Sequence, residues 1–428
     1  MKKIKIALLG LGNVGKGVWQ IFQCNSEEIY NRSGYEIEIA KILVRDIDKD
    51  RGINVPKDIL TTNIEDIFND DEIRIVVELL GGITPAKDYM MRAIRSGRHV
   101  VTANKEALAA YGKELINAAR EEGVLFYYEA SVAGGLPVLR DIKESLTANK
   151  IEEIVGIING TTNYILTKMT HENLNFDTAL KEAQQKGYAE ADPTSDIEAY
   201  DAVYKLVILT HLSFGVNVEI DDIYREGITK IDSADIQNAR ELGYTIKLLA
   251  IAKEKDNKLE LRVNPVMIPS IHPLANVNDA FNAIYIKGNA VGNLMFYGKG
   301  AGSLPTGSAV VGDIISVLRN NMTANTASDI DSSEKKILPL EESESQYYIR
   351  MNVADKSGVL GRISTILGEN GVSIYSFIQK EGKEKNSMPI VFLTHMAQEG
   401  NVLKSIKQIE KLPEVEEVKN VIRVENFN

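Results

Sequence analysis

The sequence predicts an α/β protein in three parts: a doubly wound parallel sheet, then an α+β domain, then a ferredoxin-like β-α-β-β-α-β unit at the C-terminus. Three observations carry this. Short, continuously apolar runs alternate with helical patterns over residues 1–130, the mark of parallel strands covered by helices on both faces. That alternation stops after Glu129, at Gly134-Gly135 and Pro137. Beyond a polar stretch at 321–345, residues 346–428 carry strand-like and helix-like segments in the order of a split β-α-β unit.

Taken in order, Ile4–Leu9 is the first strand, ending at Gly10, and Val14–Gln23 is the first helix. Ile37–Val44 alternates apolar residues with Glu and Lys before turning continuously apolar, a second strand. Ile73–Leu80, followed by Gly81-Gly82, is a third; Tyr89–Ser96 is helical and His99–Thr102 is a short strand. Ile151–Ile158 reads as a strand leading to Gly160, and a helical and mixed region runs on to about Asn320. The segment 321–345 is weakly patterned, a linker. In the last part Tyr347–Val353, Val372–Gln379, Pro389–Thr394 and Val418–Val424 are strands, and Glu381–Ser387 is a charged hairpin turn. Gly358–Glu369 is helical, with Val359, Ile363, Ile366 and Leu367 along one side, as is Val402–Leu412. The expected domains are 1–130, 131–320 and 346–428, joined by the linker 321–345.

A chain of 428 residues accommodates about three domains. Its 44% hydrophobic and 25% charged content excludes disordered and fibrous classes. The formal net charge of -11 repels phosphate backbones, so nucleic acid is not an expected partner. Cys24 is the only cysteine, which rules out an intrachain disulfide and suits a reducing, cytoplasmic setting. No apolar run approaches the roughly 18 residues that a membrane span needs. Met1-Lys2-Lys3 ahead of an apolar stretch has the outline of a signal peptide. That stretch is short, however, and enters a glycine turn with Lys16 rather than a cleavage site. No histidine or cysteine cluster has zinc-ligand spacing.

Gly10-Leu11-Gly12-Asn13-Val14-Gly15 is a G-x-G-x-x-G turn directly after a strand and opening a helix, the context a Rossmann-type dinucleotide site requires. Gly12 lets backbone approach a pyrophosphate at the helix N-terminus, and Gly15 lets helix pack on strand. The second strand ends Leu43-Val44-Arg45-Asp46. An acid there suits the 2′-hydroxyl of NAD, an arginine the 2′-phosphate of NADP. Arg45 stands first, which favours NADP(H) and leaves NAD(H) possible. A solvated Arg–Asp turn explains the pair equally.

Gly187 to Glu198 carries Glu190, Asp192, Asp196 and Glu198. Ser195 and Glu198 have capping-box spacing, which starts a helix just after Pro193. Asp201 and Lys205 then lie four apart on one helical face. An exposed acid–lysine pair has the same spacing and is commonplace. Against it, Leu206 to Leu212 is apolar nearly all round, so the helix is expected to be buried and its charges to need partners or a ligand. A lysine held there can protonate a carbonyl oxygen as hydride arrives, and the carboxylates can hold a substrate ammonium. His211, deep in this helix, reads as a core histidine. Asn159-Gly160-Thr161-Thr162-Asn163 is a strand-to-helix turn whose amides suit a carboxylate, although threonine and asparagine also cap helices.

The motifs GLGNVG, TANKEAL, EASVAGGLP, INGTTNYIL and GYAEADPTSDIEAYDAVYKL occur in the order and spacing of homoserine dehydrogenases, which residues 1–320 resemble. The tail resembles an ACT domain, a small fold that senses amino acids. The resemblance implies reversible, NAD(P)H-dependent reduction of L-aspartate 4-semialdehyde to L-homoserine in threonine and methionine biosynthesis. It implies that Lys205 is the acid–base group, with Lys105 the second candidate, lying between nicotinamide and substrate. Asp201 would hold the reacting oxygen, Glu190 the ammonium, and Asp196, Gly160 and Thr161 the rest of the substrate. Gly81, Thr102, Thr306 and Gly307 would line the cofactor beside Gly10, Gly12, Asn13, Val14, Gly15 and Arg45. Residues 131–320 would form the catalytic and dimerisation domain, its last helix, from Asp313 on, packing back on the first domain.

Glu129 and the carbonyls of Val132, Gly134 and Leu136 match a monovalent-cation site of the family, for Na+ or K+. Glycines in a bend explain the same residues without an ion. Gly358, Val359, Leu360, Asn370, Ser373 and Ile374 fall in the loops where ACT domains bind amino acids, here by analogy L-threonine, at an interface between paired copies. A helix cap and a turn account for them too. A homodimer or larger assembly is expected, and a kinase region ahead of residue 1 is not. Two other functions fit the residues less well: a sensor of NADP and an amino acid, and a dehydrogenase of another small amino or hydroxy acid.

Overall fold

The structure, a computed structural model, describes residues 2–320, 335–379 and 387–427. The cofactor-type part runs β1 (Lys2–Leu9), α1 (Asn13–Cys24), α2 (Ser26–Ser33), β2 (Tyr35–Leu43), β3 (Leu60–Thr61), α3 (Glu65–Phe68), β4 (Ile73–Glu78), α4 (Ala86–Arg95), β5 (His99–Thr102), α5 (Lys105–Glu121) and β6 (Phe126–Tyr127). The middle part follows with α6 (Val138–Glu144), β7 (Ile151–Ile157), α7 (Gly160–Glu172), α8 (Phe176–Gln185), α9 (Thr194–Ile197) and α10 (Tyr200–Phe214). It continues with β8 (Tyr224–Arg225), α11 (Ser233–Glu241), β9 (Tyr244–Lys255), β10 (Lys258–Pro269), β11 (Phe281–Gly288), β12 (Gly292–Lys299) and α12 (Ser303–Arg319). The rest is β13 (Lys336–Ile337), β14 (Glu344–Ala354), α13 (Val359–Glu369), β15 (Ile374–Gln379), β16 (Ser387–Thr394), β17 (Ala397–Gln398), α14 (Glu399–Ile409) and β18 (Val415–Val424).

The chain divides into two units, which cut across the sequence boundaries: the described residues of 1–151, 204–221 and 282–334, and those of 152–203, 222–281 and 335–428. In the first, six strands lie in the order β3-β2-β1-β4-β5-β6, all parallel, the doubly wound arrangement expected. Alternate residues of β1 feed two cores. Ile4, Ile6 and Leu8 pack with Val18 and Trp19 of α1 and Val310, Ile314 and Val317 of α12. Ala7 and Leu9 pack with Met90 and Ile94 of α4 and Leu115 of α5. A strand apolar on both faces is what the continuous run Ile4–Leu9 encodes. The last helix, α12, packs on this sheet. Gly17 of α1 and Gly307 of α12 allow the crossing: a Cβ on Gly17 would lie 1.9 Å from the Ser303 carbonyl oxygen, and one on Gly307 2.8 Å from the Gly17 backbone.

In the second unit one sheet runs β7-β9-β10-β18-β14-β16-β15, with β8 and β13 also pairing with β10. The tail has the expected β-α-β-β-α-β order, and its last strand extends the sheet by parallel pairing, Val266 with Arg423 and Met267 with Val424. Tyr347, Ile349, Met351 and Val353 of β14 face the tail's own core with Ile363, Leu367 and Val402. The intervening Tyr348 and Arg350 instead meet α11, both bonding Asp235. Of the expected linker, 321–334 lies outside the described residues; Lys336–Ile337 is a short strand on β10 and Glu344 begins β14. The hairpin turn expected at Glu381–Ser387 lies outside the described residues apart from Ser387, the first residue of β16.

Candidate active site

At the glycine turn each glycine has its own physical reason. Gly10 takes φ +108°, and a Cβ there would sit 2.8 Å from the Leu79 carbonyl oxygen. Gly15 faces the Gly10 carbonyl oxygen, at 2.5 Å from a built Cβ. At Gly12, which precedes α1, a Cβ would meet nothing within 4 Å, so the backbone here is open to a ligand. Asn13 and Val14 open α1. Beside the turn lies a cavity of about 480 Å³ that reaches from Gly12 to the tip of β2. Four cations line it, Lys16, Arg45, Lys49 and Arg51, against the single carboxylate of Asp46. That carboxylate accepts from the Asp48 amide, while Arg51 donates to the Asp46 carbonyl oxygen. In a chain of net charge -11 this cleft concentrates positive charge. An open backbone at a helix N-terminus next to such a cleft fits a dinucleotide carrying an extra phosphate.

Two strands further along the sheet is a buried network that sequence reasoning missed. Glu78 ends β4 opposite Thr102 of β5 and is fully buried. Its carboxylate accepts from the Thr102 hydroxyl at 2.7 Å and the Leu80 amide at 2.7 Å. Burial pushes the carboxyl above its usual range, against hydrogen bonds that favour the anion. The Thr102 hydroxyl accepts from the Asn104 amide, and the Asn104 side chain donates to the Gly82 carbonyl oxygen and caps α5 through the Ala107 amide. Glu78 thereby fixes both the Gly81-Gly82 turn, at φ +76° and +68°, and the start of α5, whose first residue is half-buried Lys105.

Glu129 is buried, and its carboxylate oxygens accept the Leu139 and Arg140 amides at the N-terminus of α6. Burial pushes its carboxyl up. Its own amide donates to Asp313 of α12, whose other oxygen takes Arg140 at 2.8 Å. Between Glu129 and α6, Ala133 and Gly134 both take positive φ, and the Gly134 turn is pressed against the Gly300 carbonyl oxygen. The bend alone therefore explains Gly134. Each Glu129 oxygen keeps a lone pair, and with the carbonyls of Val132, Gly134 and Leu136 the donor chemistry fits a hard monovalent cation. Thr306 is buried in α12, one residue before the crossing glycine Gly307.

In the second unit the carboxylates converge on Asn159, the first residue of the strand-to-helix turn. Asn159 caps α7, accepting from the Thr162 amide at 2.8 Å, so the capping reading of this turn holds for Thr162. Its side-chain nitrogen donates to Asp196 at 2.6 Å and to Asp201 at 2.8 Å, holding two carboxylates on one amide. The signal was present, an asparagine between a strand and a helix, but nothing local says which acids it meets. Gly160 opens α7 against the Ala280 carbonyl oxygen, and the Thr161 hydroxyl donates to the Tyr188 carbonyl oxygen. Glu190 is exposed on the loop that follows.

Two expectations about this segment are corrected. There is no Ser195–Glu198 capping box: α9 is a single turn in which Asp192 accepts from the Thr194 amide and hydroxyl, and Glu198 stands at its C-terminal end. The helix does not run on either, because Ala199 takes φ +66° and α10 starts afresh at Tyr200. The exposed acid–lysine pair is also excluded. Asp201 is 3% and Lys205 8% exposed, so the charges lie in the buried part of α10, as its apolar continuation required. His211 is only half-buried, beside a small cavity of about 90 Å³ lined also by Tyr128 and Lys113. In the tail, Gly358 precedes α13 at φ +89°, Val359 is buried, and Asn370 ties α13 to Gln408 of α14. Leu360 and Ile374 are partly buried and Ser373 is exposed.

Fold and site together define an NAD(P)-type oxidoreductase with an appended sensory fold. Family models agree: the homoserine dehydrogenase NAD-binding domain matches residues 10–129, homoserine dehydrogenase 137–315, and the ACT domain 347–414. The homoserine dehydrogenases of Bacillus subtilis and Pseudomonas aeruginosa are 42% and 43% identical to it, over 99% and 100% of both chains. A homoserine dehydrogenase structure from Thiobacillus denitrificans matches with a TM-score of 0.93 and 44% identity over 100% of this chain and 99% of that one. A hyperthermophilic archaeal homoserine dehydrogenase in complex with NADPH matches with a TM-score of 0.63 and 28% identity over 74% of this chain and 98% of its own. The chain belongs to the homoserine dehydrogenase family. It is an NAD(P)-dependent oxidoreductase interconverting L-homoserine and L-aspartate 4-semialdehyde, a step of threonine and methionine biosynthesis. Among the described residues no helix is long and apolar enough to cross a membrane.

Proposed function

We propose that the enzyme works with NADP(H) in preference to NAD(H), with Lys205 as its acid–base group and the Asp196–Asp201 pair as its substrate anchor. The observation that carries this is the pairing of both carboxylates on Asn159, with Asp201 one turn ahead of buried Lys205 on α10. The bound nicotinamide supplies or accepts the hydride. Lys205 donates a proton to the semialdehyde oxygen on reduction and recovers it on oxidation, with Lys105 as second candidate. Asp201 orients the reacting oxygen, and Asp196 with exposed Glu190 receives the substrate ammonium. Gly160 and Thr161 offer amides at the N-terminus of α7 to its carboxylate. Lys16, Arg45, Lys49 and Arg51 receive the cofactor's phosphates, and the NADPH complex of the archaeal relative is in keeping with this. Gly10, Gly12, Asn13, Val14, Gly15, Gly81, Thr102, Thr306 and Gly307 frame the rest of the cofactor. Na+ or K+ binds at Glu129 with the carbonyls of Val132, Gly134 and Leu136.

The tail binds an amino acid, L-threonine by the logic of end-product control, through Gly358, Val359, Leu360, Asn370, Ser373 and Ile374. Two copies pair through β15, which ends the sheet order and exposes Tyr375 and Phe377. The single, exposed Cys24 suits a cytoplasmic setting.

The deciding experiment follows reduced-nicotinamide absorbance with L-homoserine and either NADP or NAD, with and without L-threonine. Faster turnover with NADP and loss of rate with threonine are expected; equal use of both cofactors, or indifference to threonine, refutes the corresponding part. Lys205→Ala is expected to abolish turnover while cofactor binding persists, and normal turnover removes Lys205 from the mechanism.

A further inference from the structure

Asp196 and Asp201 reach one amide only because the chain breaks between them. On an unbroken helix two residues five apart point roughly 140° away from each other. The break is Ala199, at φ +66° a conformation that side chains other than glycine rarely adopt. Such a residue persists only where its surroundings over-determine it. Here the surroundings are one short strap, residues 224–229.

The strap grips the residues on both sides of Ala199. The Arg225 guanidinium donates to the Glu198 carbonyl oxygen, just before the break, and lies 3.6 Å above the ring of Tyr200, just after it. The Ile228 amide donates to the Ile197 carbonyl oxygen at 2.9 Å, and the Thr229 hydroxyl to the Glu198 carboxylate at 3.2 Å. Gly227 permits this approach, since a Cβ there would lie 2.3 Å from the Ile197 carbonyl oxygen. The strap is itself held from behind. Tyr224 and Arg225 pair with Arg262 and Val263 of β10. Arg423 of the tail lies 4.5 Å over the Tyr224 ring and 3.6 Å from the Glu226 carboxylate, and Asn420 donates to the Lys230 carbonyl oxygen. Arg225 thus joins a braced strap to both flanks of the break.

We propose that Arg225 is a positioning residue for substrate binding: by clamping the Glu198 carbonyl and the Tyr200 ring it holds the turn at Ala199 that brings Asp196 and Asp201 together. This rests on the reading of Asp196 and Asp201 as the substrate anchor. Only a planar guanidinium can donate to the carbonyl while stacking on the ring, so lysine is a partial substitute. The test uses the full-length enzyme and compares Arg225→Met, Arg225→Lys and Asp201→Asn by KM and kcat for L-homoserine and for NADP, with circular dichroism as the check on folding. Arg225→Met is expected to raise the homoserine KM about tenfold, the loss of one charge-assisted hydrogen bond, with the NADP KM within about twofold of wild type. Arg225→Lys should fall between the two. An unchanged homoserine KM in folded Arg225→Met, or an equal rise in both KM values, overturns the proposal. Should Arg225→Met not fold, a wild-type homoserine KM in Arg225→Lys overturns it instead. Wild-type kinetics in Asp201→Asn refute the anchor itself, whereas a crippled Asp201→Asn beside a normal Arg225→Met refutes the role of Arg225 alone.

Discussion

Replacing Lys247 with methionine isolates a charge that the fold suppresses. Lys247 lies in β9 and is 2% exposed, its ammonium donating to the Val277 carbonyl oxygen at 2.5 Å and the Asn163 side-chain oxygen at 3.1 Å. Burial lowers its pKa from 10.5 to about 7, with nearby Asp279 opposing. A group whose pKa is depressed by folding stabilises the protein above its unfolded value and loses that contribution as pH falls through the folded one. The unfolded chain therefore holds a proton that the native protein has released between pH 7 and 10.5, and stability rises with pH across that window. Integrated from pH 7 to about pH 9, the rise is about 2 kcal/mol. Methionine keeps the length of the side chain and removes the titration, so the stability of wild type relative to Lys247→Met should grow by that amount over the same interval. Urea unfolding followed by far-ultraviolet circular dichroism at a series of pH values measures it, with fluorescence of Trp19, in the other unit, as control. Parallel stability–pH curves for the two proteins would refute the depressed pKa, and a difference that shrinks as pH rises would refute its sign.

Three further outcomes are expected. Arg45→Ala should raise the KM for NADP by roughly ten- to a hundredfold, the range for a lost hydrogen bond between charged groups, and leave that for NAD unchanged; equal effects on both cofactors count against a 2′-phosphate contact. Glu78→Gln turns one of the two acceptors that the Thr102 hydroxyl and the Leu80 amide use into a donor. It should cost about 1–3 kcal/mol of stability and weaken cofactor binding, and an unaltered melting temperature would show the network to be dispensable. Exchanging Tyr375 and Phe377 together for serine should shift sedimentation equilibrium toward the monomer; an unchanged assembly points to a different interface.

What could be read from the sequence was what is local. The glycine turn after β1 is legible because strand, turn and helix are contiguous and Gly15 answers to Gly10 five residues away, whereas the Leu79 carbonyl that confines Gly10 comes from just beyond β4. The burial of Asp201 and Lys205 was legible from the apolar residues that follow them. The α2 helix was not, because its one buried residue, Ile29, makes no periodic pattern. Glu78 falls inside the run Ile73–Leu80, read as one apolar strand; only the pairing of β4 with β5 puts Thr102 beside it. The helix start just after Pro193 was legible, but the break at Ala199 was not, because alanine carries no sign of a positive φ. A lysine inside the apolar run of β9 was an overlooked signal that needed no structure, since an isolated charge in a buried strand demands a partner. The polar face of β14, where Tyr348 and Arg350 meet Asp235, could not be anticipated, because it depends on the tail's last strand joining a sheet built from residues 150 positions away or more.

These buried polar groups are not spread evenly through the molecule. Glu78, Asn104 and Asn159 spend their hydrogen bonds around strand ends and helix starts, and Asn163 and Lys247 spend theirs on the loop that carries Val277. Asn163 alone donates to three carbonyl oxygens of the loop that holds Val277, Asp279 and Phe281, the same loop on which Gly160 rests. Apolar residues of equal volume would stabilise the fold at least as well, because burying a polar group costs free energy that its hydrogen bonds only offset. What apolar packing cannot do is fix the direction of an amide or a carboxylate to within a few tenths of an ångström, the tolerance that hydride and proton transfer to a small substrate require. Replacing these groups should therefore damage KM and kcat more than it lowers the melting temperature, and a set of variants in which stability fell first would show that they serve the fold instead.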